Sequence, residues 1–225
     1  MTDPRFPRHA VLWLRVLPHL PPGELAHDRH HLLRVYRWAL RLAPEAGADS
    51  DLCGAAALVH DLVFIAKDSA ARSQGGERSA AAAPAELAAA GYAADEITVI
   101  ADAVRTSSWS RGLAPIHAVG AVLQDADRLD ALGAVGLMRN LACAQHMSRP
   151  EREGGFYHPT DPLHRSGRTL DDKRWAVDHL FAKLFTLAAG MHTPTAKLEA
   201  ARRTAFLHSF LIQLADETTE PPSCL

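Results

Sequence analysis

Apolar residues recur along this chain at three- and four-residue steps, and nowhere do they alternate with polar ones over the length of a strand. Only a 3.6-residue period keeps such positions on one face, so the pattern restricts the fold to helices. Leu32, Val35, Ala39 and Leu42 mark the apolar face of a helix that starts near His27 and stops before Pro44 and Gly47. A short amphipathic helix over residues 8–19 precedes it, ended by Pro21 and Pro22. Asp49, Ser50 and Asp51 offer N-cap residues to a third helix, which carries His60 and Asp61 near its C-terminal end. Residues 66–80 read as a polar loop, residues 79–90 as an alanine-rich helix and residues 95–106 as another. A long helical segment then runs from residue 116 through Asp130 and beyond, where Gly133 and Gly136 suggest close packing or a kink. Residues 148–170, rich in Pro, Gly, His and Arg, read as one long loop suited to a lid. Leu170 opens a further helix, and residues 195–217 form the last. The expectation is an all-α, single-domain helical bundle over residues 1–225. Its core spans about 25–217, with an N-terminal helix in 1–22 and a tail at 218–225.

Composition narrows the function classes. With 48% hydrophobic and 22% charged residues the chain has the balance of a soluble globular protein. A net charge of -2 gives no basic field for nucleic acid or an anionic membrane. Apolar runs are broken well short of the roughly 20 residues that a membrane span needs. The N-terminus lacks a signal-peptide pattern. Cys53, Cys143 and Cys224 form no CxxC pair, and the first two sit in apolar helical contexts that suit reduced thiols. A cytoplasmic location follows as the expectation.

The run from Ala56 to Phe64 delivers His60-Asp61 into apolar surroundings. An ionised carboxylate buried beside an imidazole costs several kcal/mol unless it is compensated, and a divalent ion compensates both groups at once. Asp127, in an apolar helix between Leu123 and Leu132, poses the same problem; an ion pair with Arg128 or Arg34 is its plainer explanation. His31 alone reads as a surface or satisfied histidine. Together, His31, His60, Asp61 and Asp127 make a mixed nitrogen and oxygen set from three helices, suited to a divalent transition metal.

The order of these residues carries a resemblance. His31-x-x-Arg34, Leu58-Val-His60-Asp61 and Asp125-Ala-Asp127-Arg128-Leu-Asp130 resemble the HD-domain superfamily of metal-dependent phosphohydrolases, in particular a small stand-alone branch that includes nucleotide pyrophosphohydrolases. Lys67, Arg72, Asp161-Pro162, Leu170-Asp171-Asp172, Asp178-His179, Met191-His192-Thr193 and Arg202-x-x-x-Phe206 extend the likeness over residues 27–217. The resemblance implies a helical bundle in which His31, His60, Asp61 and Asp127 are ligands to one divalent metal ion, whether Mn, Ni, Co, Fe, Zn or Mg. Ser107 stands where relatives tend to carry a histidine, which favours a mononuclear over a dinuclear centre.

The implied activity is hydrolysis of a phosphate ester or nucleotide, including nucleoside triphosphate pyrophosphohydrolysis, by a metal-bound hydroxide. Bound water would fall from a pKa of 15.7 towards about 7. Asp127, Asp130 and Arg128 are the candidate catalytic residues. Lys67, Arg72, His27 and Arg165 are the candidate substrate-binding residues, since phosphoryl transfer is largely positioning and charge stabilisation. Asp28 is an N-cap candidate beside His27. Two rivals stand beside this reading: a nucleotide-sensing module with little turnover, and a di-iron oxygenase of the same fold. The oxygenase would need more histidine ligands, and residues 62–115 contain none. The expected partner is a small phosphorylated molecule of nucleotide type, with neither membrane nor stable nucleic-acid binding. The apolar first helix leaves a homodimer open.

Overall fold

The computed structural model describes residues 2–66, 69–148, 151 and 153–218. Among them the regular structure is helical; there is no strand, only an isolated bridge between Gly155 and Trp175. The all-α expectation therefore holds. The chain forms two compact units, Met1–Asp130 with Met191–Lys197, and Ala131–Gly190 with Leu198–Leu225. No described helix is long and apolar enough to cross a membrane.

The first unit holds α1 (Pro7–Val16), α2 (Arg29–Leu42), α3 (Ser50–Val59), α4 (Gly75–Ala89), α5 (Ala94–Thr106) and α6 (Ala118–Asp130). Its centre is α3, whose residues from Cys53 to Val59 are all buried. A helix of Gly and Ala has little side-chain bulk, so α1, α2, α5 and α6 all pack closely against it. At Gly54 the space is taken by the His9 ring: a Cβ there would lie 2.4 Å from His9 Cε1. His9 is itself fully buried and satisfied, accepting from the Tyr36 hydroxyl at Nδ1 (2.9 Å) and donating from Nε2 to the Asp51 carbonyl (2.9 Å). Arg8 beside it pairs with Asp51 (2.9 Å) and with both oxygens of Glu96 (2.8 and 2.9 Å). These ties lock α1 onto α3 and α5. Cys53 is buried and free, its thiol pushed up to about 12 by burial; Cys143 is also free, and Cys224 lies outside the described residues.

Met191–Lys197 is tied to this unit by Asp125, Gln124 and Glu45. Asp125, wholly buried, accepts the His192 and Thr193 N–H groups (2.8 Å each) and the Thr193 hydroxyl (2.9 Å). Three donors supply what a buried ionised group needs.

The second unit contains α7 (Gly133–Met147), a π-helical turn at Leu180–Leu184 that runs into α8 (Phe185–Leu187), and most of α9 (Pro194–Thr218). Three helix limits differ from expectation. The segment beyond residue 116 is two helices, since α6 stops at Asp130 and α7 starts at Gly133, where φ is +72° and glycine is favoured. Helix α4 begins at Gly75, inside the stretch expected to be loop. No helix opens at Leu170. Instead Asp171 and Asp178 serve the irregular chain: Arg168 donates to both oxygens of buried Asp178 (2.7 and 2.5 Å), and the Asp171 N–H donates to it at 2.8 Å.

Candidate metal centre

Three helix ends build the site. Asp28 caps α2, accepting the N–H groups of His30 and His31 at 2.9 Å each, and so sets His31 in the first turn. α3 runs out at Val59, which makes His60 its C-cap and places Asp61 just beyond. α6 contributes Asp127 and, one turn later, Asp130.

Their reactive atoms converge. His31 Nε2 lies 3.2 Å from His60 Nε2, 3.5 Å from Asp61 Oδ2 and 3.7 Å from Asp127 Oδ1. His60 Nε2 lies 3.5 Å from Asp61 Oδ2 and 3.8 Å from Asp127 Oδ1. The opposite ring nitrogens decide the tautomers. His31 Nδ1 is 2.7 Å from the Asp130 carboxylate and His60 Nδ1 is 2.8 Å from the Ala57 carbonyl. Both partners only accept, so both Nδ1 atoms donate, and with an ion bound each ring would offer it the Nε2 lone pair.

Four acceptors facing one another suit a cation. Two donors at about 2.0–2.2 Å from a common ion stand roughly 2.8–3.6 Å apart when they subtend 90–110°. The 3.2 and 3.5 Å separations fall in that range, and 3.7 and 3.8 Å exceed it by a side-chain adjustment. The residues therefore fit a divalent metal, with His31, His60 and Asp127 offering atoms within 4.8 Å of one another. Burial alone would raise the Asp61 carboxyl, but the imidazoles of His60, His31 and His27 outweigh it and hold Asp61 well below the usual carboxylate range. The imidazoles are buried (0% and 2% exposed side chains), whereas Asp61 and Asp127 are about one-third exposed at 31% and 32%.

The remaining candidates fall in several places. Asp130 is fully buried behind His31, and it is Asp130, not Asp127, that Arg34 engages, at 2.6 and 3.0 Å. His27 is buried, edge-on to His31 (5.9 Å between ring centroids) and 5.7 Å from the Phe64 ring, with Nδ1 3.6 Å from Glu24. Arg128 donates to Gln124 Oε1 (2.5 Å) and lies 4.7 Å over the Trp109 ring. Burial lowers its pKa while the charges of Asp125 and Asp127 raise it. Arg72 donates to the Ile65 carbonyl at 2.9 Å. Lys67 lies outside the described residues. Arg165 is exposed in the second unit, its N–H bonded to Asp161 at 2.7 Å. Ser107 is buried and donates to the Val104 carbonyl at 2.9 Å.

Sequence reading missed Gln124. It is buried, donates to the Thr106 and Leu113 carbonyls (2.7 and 3.0 Å) and accepts from Arg128 and from His192 Nε2 (2.9 Å). A lone amide after Val122-Leu123 was the available signal.

Fold and cluster together define an all-helical protein with a mixed histidine–aspartate centre in its first unit. The HD domain family matches residues 29–132, which enclose all four converging side chains. The chain is 33% identical over 192 residues to the uncharacterized protein YpgQ of Bacillus subtilis, covering 84% of this chain and 82% of that one. The crystal structure of YpgQ in complex with ADP superposes with a TM-score of 0.68 at 26% identity, covering 93% and 97%. A Lactobacillus plantarum protein superposes at 0.72 with 33% identity (96% and 98% covered). An HD-superfamily hydrolase from Bacillus thuringiensis does so at 0.68 with 25% identity (93% and 96% covered). The chain belongs to the HD superfamily and has the fold of its hydrolases.

Proposed function

We propose that this protein is a metal-dependent phosphohydrolase acting on a nucleotide or another phosphate ester, with His31, His60, Asp61 and Asp127 holding one divalent ion. The observation that carries the reading is the meeting of two imidazole lone pairs and two carboxylates, with both Nδ1 atoms committed elsewhere. The nucleotide is supported by the ADP complex of YpgQ, and release of pyrophosphate from a nucleoside triphosphate is the specific form to test. A bound ion would supply an acidified water and polarise a phosphoryl oxygen.

The chain's own residues do the rest. Asp61 and Asp127 form the part-exposed side of the cluster, so substrate and water approach there. Asp61 stays ionised at neutral pH because its carboxyl is held low, which keeps it an acceptor for a cation. Arg128, adjacent to Asp127 and oriented by Gln124 and Trp109, places positive charge for a phosphate oxygen. His27 lines the same corner beside His31, and Lys67 and Arg72 follow the His-Asp pair in the chain.

The test is metal content by plasma mass spectrometry on wild type and Asp61→Ala, each followed by a nucleotide panel. About one metal per chain, lost with phosphate or pyrophosphate release in the variant, supports the proposal. No metal in wild type, or metal that survives the substitution, overturns it. Two irons per chain would point to the oxygenase, and metal with nucleotide binding but no release would point to a sensor.

A further inference from the structure

We propose that Asp130 and Arg34 are positioning residues for the metal centre: Asp130 holds His31 in the tautomer that offers Nε2 to the ion, and Arg34 holds Asp130. The inference rests on the metal reading above and assigns two residues behind it. The two histidines are supported differently. His60 is oriented by the Ala57 carbonyl three residues back, a backbone group that no substitution removes. His31 is oriented by a side chain from another helix, 99 residues away.

That side chain is a buried carboxylate, which needs full compensation. Asp130 Oδ1 accepts Arg34 Nε (2.6 Å), and Oδ2 accepts both Arg34 Nη2 (3.0 Å) and His31 Nδ1 (2.7 Å). A planar guanidinium fixes the plane of the carboxylate as well as its charge, which a lysine could not do. Arg34 follows His31 by three residues and so shares its face of α2. Its side chain is 31% exposed, so the relay starts near the surface and ends on a ligand nitrogen.

The isosteric Asp130→Asn shows why the charge matters. With its amide oxygen towards His31, its NH2 group meets the Arg34 donors. Turned round, its NH2 group meets His31 Nδ1 and drives the ring to the tautomer whose Nε2 carries hydrogen. Either arrangement weakens His31 as a ligand.

The experiment is calorimetric Mn²⁺ titration of wild type, Asp130→Asn, Arg34→Met and Arg34→Lys. The His31 tautomer is read in parallel by long-range ¹H–¹⁵N spectra of the metal-free proteins, and melting confirms the fold. Asp130→Asn should weaken Mn²⁺ by about 10–100-fold, the usual cost of losing such a partner. Arg34→Met should weaken it less, with partial recovery in Arg34→Lys, and the His31 tautomer should shift in step. If Asp130→Asn does not fold, the two Arg34 variants carry the test. Unchanged affinity and tautomer in the folded variants, with wild type binding Mn²⁺, overturns this inference alone. Failure of wild type to bind Mn²⁺ overturns the metal reading with it.

Discussion

The Nε2 atoms of His31 and His60 face each other at 3.2 Å while both rings donate from Nδ1 to fixed acceptors. A ligand that binds only the folded state stabilises it by mass action, about 2.7 kcal/mol at a hundredfold excess over Kd. Added Mn²⁺, Ni²⁺ or Zn²⁺ should therefore raise the melting temperature of wild type, and chelator should reverse the rise. His60→Gln and Asp61→Ala should show no such rise. A shift of equal size in all three proteins would place the ion elsewhere.

Arg128 is assigned to substrate charge and is held by Gln124 and the Trp109 ring. Arg128→Ala should leave metal content intact and lower phosphate release by about 100-fold, the scale of one lost charge-stabilising donor. Metal analysis and initial rates on the same preparation check this. Loss of metal along with rate would make Arg128 part of the metal support instead.

Gly54 has no room for a methyl group. Its Cβ would stand 2.4 Å from His9 Cε1 and 3.0 Å from Tyr36 Cε2, both in a packed core. Gly54→Ala should cost about 1–3 kcal/mol through overpacking. The melting temperature should fall by roughly 2–12 °C, and an unchanged value would mean that the His9 ring moves freely.

Burial holds the His9 imidazole below its ordinary value, against the pull of Asp51. The unfolded chain takes up this proton near pH 6.5 while the folded chain does not. The sign follows: this contribution to stability is complete above about pH 6.5 and declines as the pH falls towards the depressed folded value. Between pH 7.5 and 5.5, wild type should lose more of its denaturant midpoint than His9→Gln. Equal losses would show that His9 does not titrate in this window.

Local patterning was enough for much of the architecture. The spacing of Leu32, Val35, Ala39 and Leu42 predicts a helix, and α2 buries those four residues. Asp28 and Asp49 read as caps and act as caps. The order His31, His60-Asp61, Asp127 is visible in the linear chain through its resemblance to the HD-domain pattern, while His60-Asp61 and Asp127 also interrupt apolar helical runs, where an uncompensated polar group needs a partner.

Which partner each group has was settled only by packing. From the sequence Arg34 reads as a partner for Asp127; the docking of α6 against α2 gives it Asp130 instead. His9 gave no sign that it would be buried, because its space exists only where α1 crosses Gly54. Leu170-Asp171-Asp172 reads as a helix start, yet the tertiary structure uses the carboxylates of Asp172 and Asp178 to bind His179 and Arg168. Periodicity and capping act over a single turn and can be read from neighbours in sequence. The pairing of buried charges acts through space, and it is resolved only once the helices have met.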